Sequence, residues 1–188
     1  MADIGTKSFK LPQGILIIRS AHAPDAEELL ALMLRSDYET DFLARNPGEF
    51  RITLDDERRF IKDKLSNPAE VLLTARLNGI LAGTLGFTSS PLLRYLHKGS
   101  FGISILKDYW GLGIGRKLIE TLFEWADTRG IVKITLEVDT LNSRAIRLYR
   151  SLGFIEEGLE IADRRLENGQ FRNSLLMARF HPDYRMLP

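Results

Sequence analysis

Blocks of apolar and polar residues alternate along the chain, and each block predicts one secondary-structure element. Residues 14–22 (GILIIRSAH) form a mostly apolar run of strand length, whereas residues 26–36 (AEELLALMLRS) carry apolar side chains at helical spacing. Residues 36–50 are polar, partly acidic and broken by Pro47 and Gly48, which predicts an irregular loop or a short turn of helix. The first elements are therefore a strand and a helix, followed by a loop.

A second helix is predicted immediately after this loop. Thr53 and Asp56 have the spacing of a capping box, in which each side chain satisfies a backbone N–H of the other residue. We expect the helix to run through residues 54–65 (LDDERRFIKDKL) and to close at Asn67 and Pro68.

Two antiparallel strands come next. Residues 71–77 (VLLTARL) and 80–87 (ILAGTLGF) flank Asn78 and Gly79. Both central residues of a type I′ turn need a positive φ, which Asn and Gly tolerate best, so this dipeptide predicts a two-residue hairpin.

The middle of the chain has the order strand, helix, strand. The apolar strand 101–106 (FGISIL) is followed by a glycine-rich loop, by the helical pattern of residues 116–130 and by a strand over 133–138 (KITLEV). Elements of these lengths predict a parallel crossover, and a ligand in such a unit binds at the carboxyl end of the first strand. The glycine-rich loop occupies that place.

The last elements are a helix and a hairpin. Asn142 is placed to cap a helix over residues 143–152. Asn168 and Gly169 then separate two strands, 160–167 and 171–180. The order of elements predicts a mixed α/β fold with antiparallel and parallel pairing. Since no repeat, low-complexity segment or linker divides the chain, we expect residues 1–188 to form a single domain.

Composition excludes several classes of function. Lys and Arg total 26 against 25 Asp and Glu, so no global field favours nucleic acid or an anionic membrane as a partner. Cysteine is absent, which excludes disulfides, thiolate nucleophiles and thiolate metal sites. The longest aliphatic runs are of strand length, and the first residues lack a signal-peptide core. We therefore expect a soluble, cytoplasmic protein without a metal.

The segment YWGLGIGRKL (109–118) is the strongest candidate ligand site. Its three glycines stand at alternate positions directly before a helix, where unpaired N–H groups and the helix dipole favour an anion such as phosphate. A dinucleotide-binding loop would need a sixth-position glycine where Arg116 stands. A Walker loop would need Ser or Thr after Lys117. Both of these phosphate-binding motifs are therefore excluded.

The glycine spacing that remains resembles the pyrophosphate loop of the GNAT superfamily of acyl-CoA-dependent N-acyltransferases. LNSRAIRLYRSLGFIEEG (141–158) is similar to a second signature of those enzymes, with an Asn, an Ala three residues on, a Tyr seven residues on and a Gly-Phe pair. The resemblance implies a mostly antiparallel central sheet with one splayed parallel strand pair, flanked by helices. Trp110 departs from the family pattern, because that position is usually Gln or Arg.

The resemblance also implies acetyl-CoA as cosubstrate, with pantetheine held between two diverging strands. The backbone of Ile103 and Ile105 would bind pantetheine, and an N–H of that strand would polarise the thioester carbonyl. The other candidate cofactor residues lie in the glycine loop with the start of the helix after it, and at the start of the helix over 143–152: Trp110, Gly111, Leu112, Gly113, Ile114, Gly115, Arg116, Asn142, Arg144 and Ala145.

Two residues are candidates for proton transfer in an N-acetyltransferase. By the resemblance, the hydroxyl of Tyr149 would protonate the departing thiolate. Glu137 alternates outward on its strand and is the first candidate for the base that deprotonates the amine, directly or through water. Without the resemblance, a core aromatic and a surface carboxylate would be the usual interpretations of these two residues.

The acceptor is expected to be a primary amine of a small molecule that attacks the thioester directly. Asp37, Glu39 and Asp41 form an acidic segment that would attract such a cation. The alternatives are acetylation of a protein amine and, in a different class, a non-catalytic CoA-binding sensor or assembly subunit. The apolar strand of the last hairpin could pair with a second copy, which would produce a homodimer.

Overall fold

Residues 3–185 are described by a computed structural model, in which one mixed sheet forms the centre of the fold. The strand order is β1-β2-β3-β4-β5-β6-β8-β7. Every neighbouring pair is antiparallel except β5 and β6, which are parallel. The strands are β1 (Thr6–Leu11), β2 (Gly14–Ser20), β3 (Val71–Leu77), β4 (Ile80–Ser89), β5 (Lys98–Ile105), β6 (Lys133–Asp139), β7 (Ile155–Arg165) and β8 (Phe171–Phe180).

The helices of residues 3–185 cover both faces of this sheet. They are α1 (Ala26–Glu39), α2 (Leu54–Ser66), α3 (Ile114–Asp127) and α4 (Ser143–Ser151). No helix in the described part of the chain has the length and apolar character needed to cross a membrane. The strand order and the helices confirm the mixed α/β class, and β5 with β6 is the one parallel pair among the described strands.

Local turn and cap chemistry accounts for several of these boundaries. Asn78 and Gly79 have φ values of 51° and 86°, so the β3–β4 hairpin closes through the type I′ turn that the sequence predicts. The Thr53 hydroxyl oxygen accepts a hydrogen bond from the amide of Asp56, and the Asp56 carboxylate accepts one from the amide of Thr53. The predicted capping box is confirmed.

Other boundaries differ from the prediction. β1 was not predicted, because its sequence, TKSFKL, is polar on one face and pairs only with β2 at the edge of the sheet. α1 continues to Glu39, beyond the expected start of a loop. In the last hairpin, Gly169 has a positive φ but Asn168 does not. A five-residue connection, 166–170, therefore joins β7 and β8.

Two apolar clusters hold the helices against opposite faces of the sheet. The larger cluster packs α3 and α4 against the sheet through residues such as Leu85, Leu118 and Tyr149. The smaller one packs α1 and α2 on the other face, with Leu29 and Ile61 at its centre. Because strand side chains alternate between faces, β5 and β6 present one set of residues to each helix layer.

A buried ion-pair network anchors the start of α1. The Asp25 carboxylate accepts two hydrogen bonds of 2.7 Å from Arg19 on β2 and one of 2.9 Å from Arg76 on β3. Burial alone would raise the pKa of Asp25, but these bonds and the amide of His22 hold it at about 2. The network ties the start of α1 to two strands of the sheet.

We predict that Gly99→Ala destabilises the fold, because the new Cβ would lie 2.4 Å from the Phe87 ring and 2.4 Å from the Thr88 carbonyl oxygen. The expected loss is about 1–3 kcal/mol of unfolding free energy, as for an overpacked core, measured by urea denaturation. Gly102→Ala on the same strand is the control, since a Cβ there would meet no atom within 4 Å. Equal unfolding midpoints for the two variants would contradict this prediction.

Candidate functional site

The candidate site begins where β5 and β6 separate. These strands pair at three positions only, Lys98 with Lys133, Gly99 with Ile134 and Ser100 with Thr135. Beyond them β6 continues along β8 as far as Asp139, while β5 continues along β4 to Ile105. An open gap therefore lies between the carboxyl-terminal halves of the two parallel strands.

The backbone of β5 presents hydrogen-bonding groups to this gap. The amide of Leu106 donates to the carbonyl of Ala82 on β4 at 3.0 Å. Because alternate residues of an antiparallel strand point their polar groups to opposite sides, Ile103 and Ile105 point theirs away from β4, into the gap. The Trp110 indole Nε1 donates to the Ile105 carbonyl at 2.6 Å. Within residues 3–185, no group therefore bonds the N–H and C=O of Ile103 or the N–H of Ile105.

The three glycines of the loop after β5 have different physical roles. Gly111 and Gly113 have φ values of 79° and 87°, which L-residues other than glycine rarely adopt. Gly115 lies inside α3, where a Cβ would be 3.2 Å from Ile105 and 3.4 Å from Leu148. The first two glycines shape the loop, and the third lets α3 pack closely against β5 and α4.

The loop also leaves a row of backbone amides without acceptors. No described residue accepts a hydrogen bond from the amides of residues 111–116. The helical bonds of α3 begin with the Lys117 amide, which donates to the Gly113 carbonyl at 3.1 Å. These amides stand at the positive end of the α3 dipole. Most of the loop residues line the cavity, although Leu112 packs into the core instead. The arrangement fits a diphosphate, as the coenzyme A interpretation requires.

Trp110 contributes through contacts different from those of the usual Gln or Arg. Its indole N–H bonds the end of β5, and the Arg144 guanidinium lies over its ring, 5.4 Å from the ring centroid. Arg116 donates to the Ser151 hydroxyl at 2.7 Å, and Lys117 pairs with Glu120 at 2.8 Å. The contact with Trp110 holds Arg144 beside the glycine loop, near the amides of residues 111–116.

The face of α4 that the sequence predicts lines the same cavity. Asn142 caps the helix through its side-chain oxygen, which accepts from the amide of Ala145 at 3.1 Å. Asn142, Ala145 and Tyr149 all border the cavity. The cap interpretation of Asn142 is confirmed, and its side-chain NH₂ group bonds to no described residue.

The Tyr149 hydroxyl faces this cavity without a hydrogen-bond partner in residues 3–185. The residue is 7% exposed, and its ring packs against Phe101 and Phe154 with centroids 6.0 Å and 5.8 Å away. Burial raises the pKa of the phenol to about 12. The group therefore remains protonated at neutral pH and can serve as a proton donor.

Glu137 lies on β6 across the gap from β5. Its side chain is exposed to the cavity, on the sheet face that α1 and α2 cover. Desolvation and then the charges of Asp163 and Glu137 raise the pKa of Glu160 on β7. The mouth of the cavity is therefore acidic beside Glu137.

The predicted acidic segment does not form one continuous surface. Asp37 is buried and pairs with Arg45 through bonds of 3.0 and 3.2 Å. Glu39 lines the cavity but bonds Arg35 and the amide of Lys107. Asp41 borders a smaller pocket of about 280 Å³ near the last hairpin. Two of these three carboxylates are thus held within the protein by basic partners.

The cavity has a volume of about 1240 Å³ and extends from the glycine loop to α2. Its far side includes Ser36 and Glu57, which sequence reasoning did not select. A signal for Glu57 was present: it stands one turn before Ile61, on the core-facing side of α2. An acidic residue at an apolar position of a helix indicates a functional site more often than a surface charge does.

Comparison with known proteins identifies the family. The model of the acetyltransferase (GNAT) family matches residues 31–154. An acetyltransferase of the GNAT family from Streptococcus pneumoniae is 35% identical, with a TM-score of 0.85 over 88% of this chain and 99% of its own. A GNAT superfamily phosphinothricin acetyltransferase from Sinorhizobium meliloti, solved in complex with acetyl-CoA, has a TM-score of 0.76 at 18% identity, over 87% of each chain.

Two curated relatives match shorter parts of the chain than the family model does. The ribosomal protein bS18-alanine N-acetyltransferase of Salmonella typhimurium is 46% identical over 30% of this chain, and spermidine N(1)-acetyltransferase of Escherichia coli is 33% identical over 49%. The matches span 38% and 50% of those enzymes. The family model covers about two thirds of the chain, including the gap, the loop and α4. The chain therefore belongs to the GNAT acetyltransferase family.

Proposed function

We propose that this protein is an acetyl-CoA-dependent N-acetyltransferase that modifies a primary amine of a small molecule. The observation that carries the proposal is one cavity in which an anion cradle, a gap with unbonded β5 backbone groups and the phenol of Tyr149 occur together. Family membership supports acetyl-CoA as the cosubstrate.

The amides of residues 111–116 bind the diphosphate of coenzyme A, assisted by Arg144. Ile103 binds the pantetheine amides through its backbone, as an added strand would. The unbonded N–H of Ile105 or Ile103 donates to the thioester carbonyl oxygen and stabilises the charge that develops there. The glycine loop and β5 therefore position the acetyl group within the gap.

Acetyl-CoA supplies the acetyl group as a thioester. Glu137, directly or through water, accepts a proton from the acceptor ammonium, because an amine with a pKa near 10 is mostly protonated at neutral pH. The amine nitrogen then bonds to the acetyl carbon as the carbon–sulfur bond breaks. Tyr149 donates its proton to the sulfur, which leaves as the thiol. The second proton that the nitrogen loses as the amide forms returns through water to the Tyr149 phenolate. None of these steps needs a metal or a covalent enzyme intermediate.

Acceptor size is inferred from the elements that cover the cavity. α1, α2 and the segment between them supply most of its acceptor side, with apolar residues that include Met33, Phe42, Ile52 and Phe60. This arrangement suits a compact amine better than an extended polypeptide. The relative that acetylates spermidine supports this choice, and the bS18-alanine relative makes a protein amino terminus the second candidate.

Turnover of an amine panel tests the proposal. Purified protein, acetyl-CoA and small primary amines should release free CoA thiol, and mass spectrometry should show one added acetyl group on the amine. Peptides with amino-terminal alanine test the second candidate in the same assay. Binding of acetyl-CoA without turnover of any amine or peptide would support a sensor instead.

For the anion cradle, we predict that Gly113→Ala weakens acetyl-CoA binding, because φ of 87° strains an L-residue and displaces the loop amides. Gly130→Ala is the matched control, since it has φ of 71° at the opposite end of α3. Both changes should lower stability by about 1–2 kcal/mol. Calorimetry should show weaker binding for Gly113→Ala only; equal affinities would contradict the cradle.

For the proton donor, we predict that Tyr149→Phe lowers kcat by about 10²- to 10⁴-fold. The ring packing is preserved and the lost hydroxyl has no described partner, so the thermal unfolding midpoint and the dissociation constant for acetyl-CoA should change little. Stopped-flow thiol release measures the rate. A variant that turns over at the wild-type rate would refute the assigned role.

For the base, we predict that Glu137→Gln lowers kcat/KM by about 100-fold or more at neutral pH. The deficit should shrink as pH rises towards the amine pKa near 10, because the acceptor then loses its proton without assistance. Glu160→Gln removes a neighbouring carboxylate and is the control. If both variants lose the same activity with the same pH profile, Glu137 contributes only negative charge.

A further inference from the structure

A buried carboxylate on α2 has no role in the mechanism above. Glu57 is 6% exposed and stands in the first turns of α2, on the face that continues through Ile61 and Lys64. It lines the cavity together with Ser36 of α1, whose hydroxyl is buried without a hydrogen-bond partner in the described residues. Two unpartnered polar groups therefore border the same end of the cavity.

Nothing in residues 3–185 compensates the charge of Glu57. Lys64 lies on the same face of α2 two turns later, but it donates to Glu70 at 2.5 Å and to the Thr88 hydroxyl at 2.6 Å instead. Burial accordingly raises the pKa of the Glu57 carboxyl. An unpaired buried carboxylate opposes folding unless it loses its charge or acquires a partner. A cationic ligand would supply that partner.

Most other carboxylates of the cavity are already paired. Thr53 and Arg59 bond Asp56. The remaining pairs are Glu39 with Arg35, Asp139 with Arg164, and Asp163 with the Ser174 hydroxyl. Among the described cavity residues, Glu57 and Glu137 alone lack both a cation and a hydrogen-bond donor. The cavity thus offers two available negative charges.

These two charges lie at different ends of an apolar wall. Glu137 is on β6, whereas α2 packs over β3, three strands away. Three paired-strand spacings of about 4.8 Å amount to about 14 Å, and because β5 and β6 have already separated at Glu137, the two strand axes lie at least that far apart. The cavity wall formed by α1, α2, the segment between them and β3 is mostly apolar, with residues Leu29, Met33, Phe42, Ile52, Phe60 and Leu72.

We propose that Glu57 binds a second positively charged group of the acceptor, so that the preferred substrates are diamines or longer polyamines with apolar methylene spacers. The reacting nitrogen lies at Glu137 and the distal ammonium at Glu57, with the spacer along the apolar wall. This inference rests on the proposed function, since it names the class of amine that the same site acetylates.

Matched amines of equal chain length test it. Octylamine and 1,8-diaminooctane, within a series of four to ten carbons, are compared as substrates and as ligands of the protein saturated with coenzyme A. A charged hydrogen bond in a buried site should make the diamine bind about 10- to 100-fold more tightly than the monoamine. In Glu57→Gln the ratio of the two dissociation constants, and of the two KM values, should fall to about one.

Asp55→Asn is the control variant, because Asp55 stands on the exposed side of the same helix turn and its one charged partner among residues 3–185 is Arg58. It should keep the wild-type preference for the diamine. Glu57→Gln should unfold at the wild-type temperature or above, since it removes an uncompensated buried charge. A lower unfolding temperature would indicate that Glu57 is a structural residue.

The possible failures are distinguishable. Equal binding of diamine and monoamine by the wild type, or an unchanged preference in Glu57→Gln, would overturn the role of Glu57 while thiol release from either amine upholds the N-acetyltransferase proposal. A diamine preference that depends on Glu57, without thiol release from any amine, would support the cation site and refute the proposed function.

Discussion

The parting of β5 and β6 is the constraint on which the rest of this site depends. After three pairs, neither strand supplies the hydrogen-bond partners that the other would need, yet each is still held on its outer side by β4 or β8. Backbone polar groups that lack a partner must be satisfied by water or by a ligand. The gap is therefore a binding surface made from the main chain, and its chemistry does not require particular side chains.

The glycine loop extends this surface with backbone amides that favour a negatively charged ligand. α3 begins directly after the gap, so its unbonded amides face the same opening as the β5 backbone. Trp110 joins the two parts, because its indole bonds the Ile105 carbonyl while its ring supports Arg144. Trp110, which departs from the family pattern, thus links strand, loop and helix, while the amides of residues 111–116 keep no acceptor among the described residues.

Charge on the acceptor side is distributed unevenly. Arginines neutralise Asp37 and Asp139 within the protein, and these pairs hold the loop and the last hairpin in place. Glu57 and Glu137 have no such partner in the part of the chain that the structure describes. The pattern separates carboxylates that stabilise the structure from carboxylates that are available to a ligand, a distinction that net charge or the spacing of acidic residues does not reveal.

The sequence by itself determined the order of elements after β1, the type I′ turn at Asn78, the caps at Thr53 and Asn142 and the glycine loop before α3, because each depends on residues close together in the chain. The tertiary structure decided which charges remain available. Asp37 was predicted to be exposed, but it is buried against Arg45, eight positions further along the chain. Glu57 is a candidate ligand group because α1, α2 and the sheet form a cavity beside it. Burial and ion pairing are properties of neighbours in space, and the local pattern of residues does not specify them.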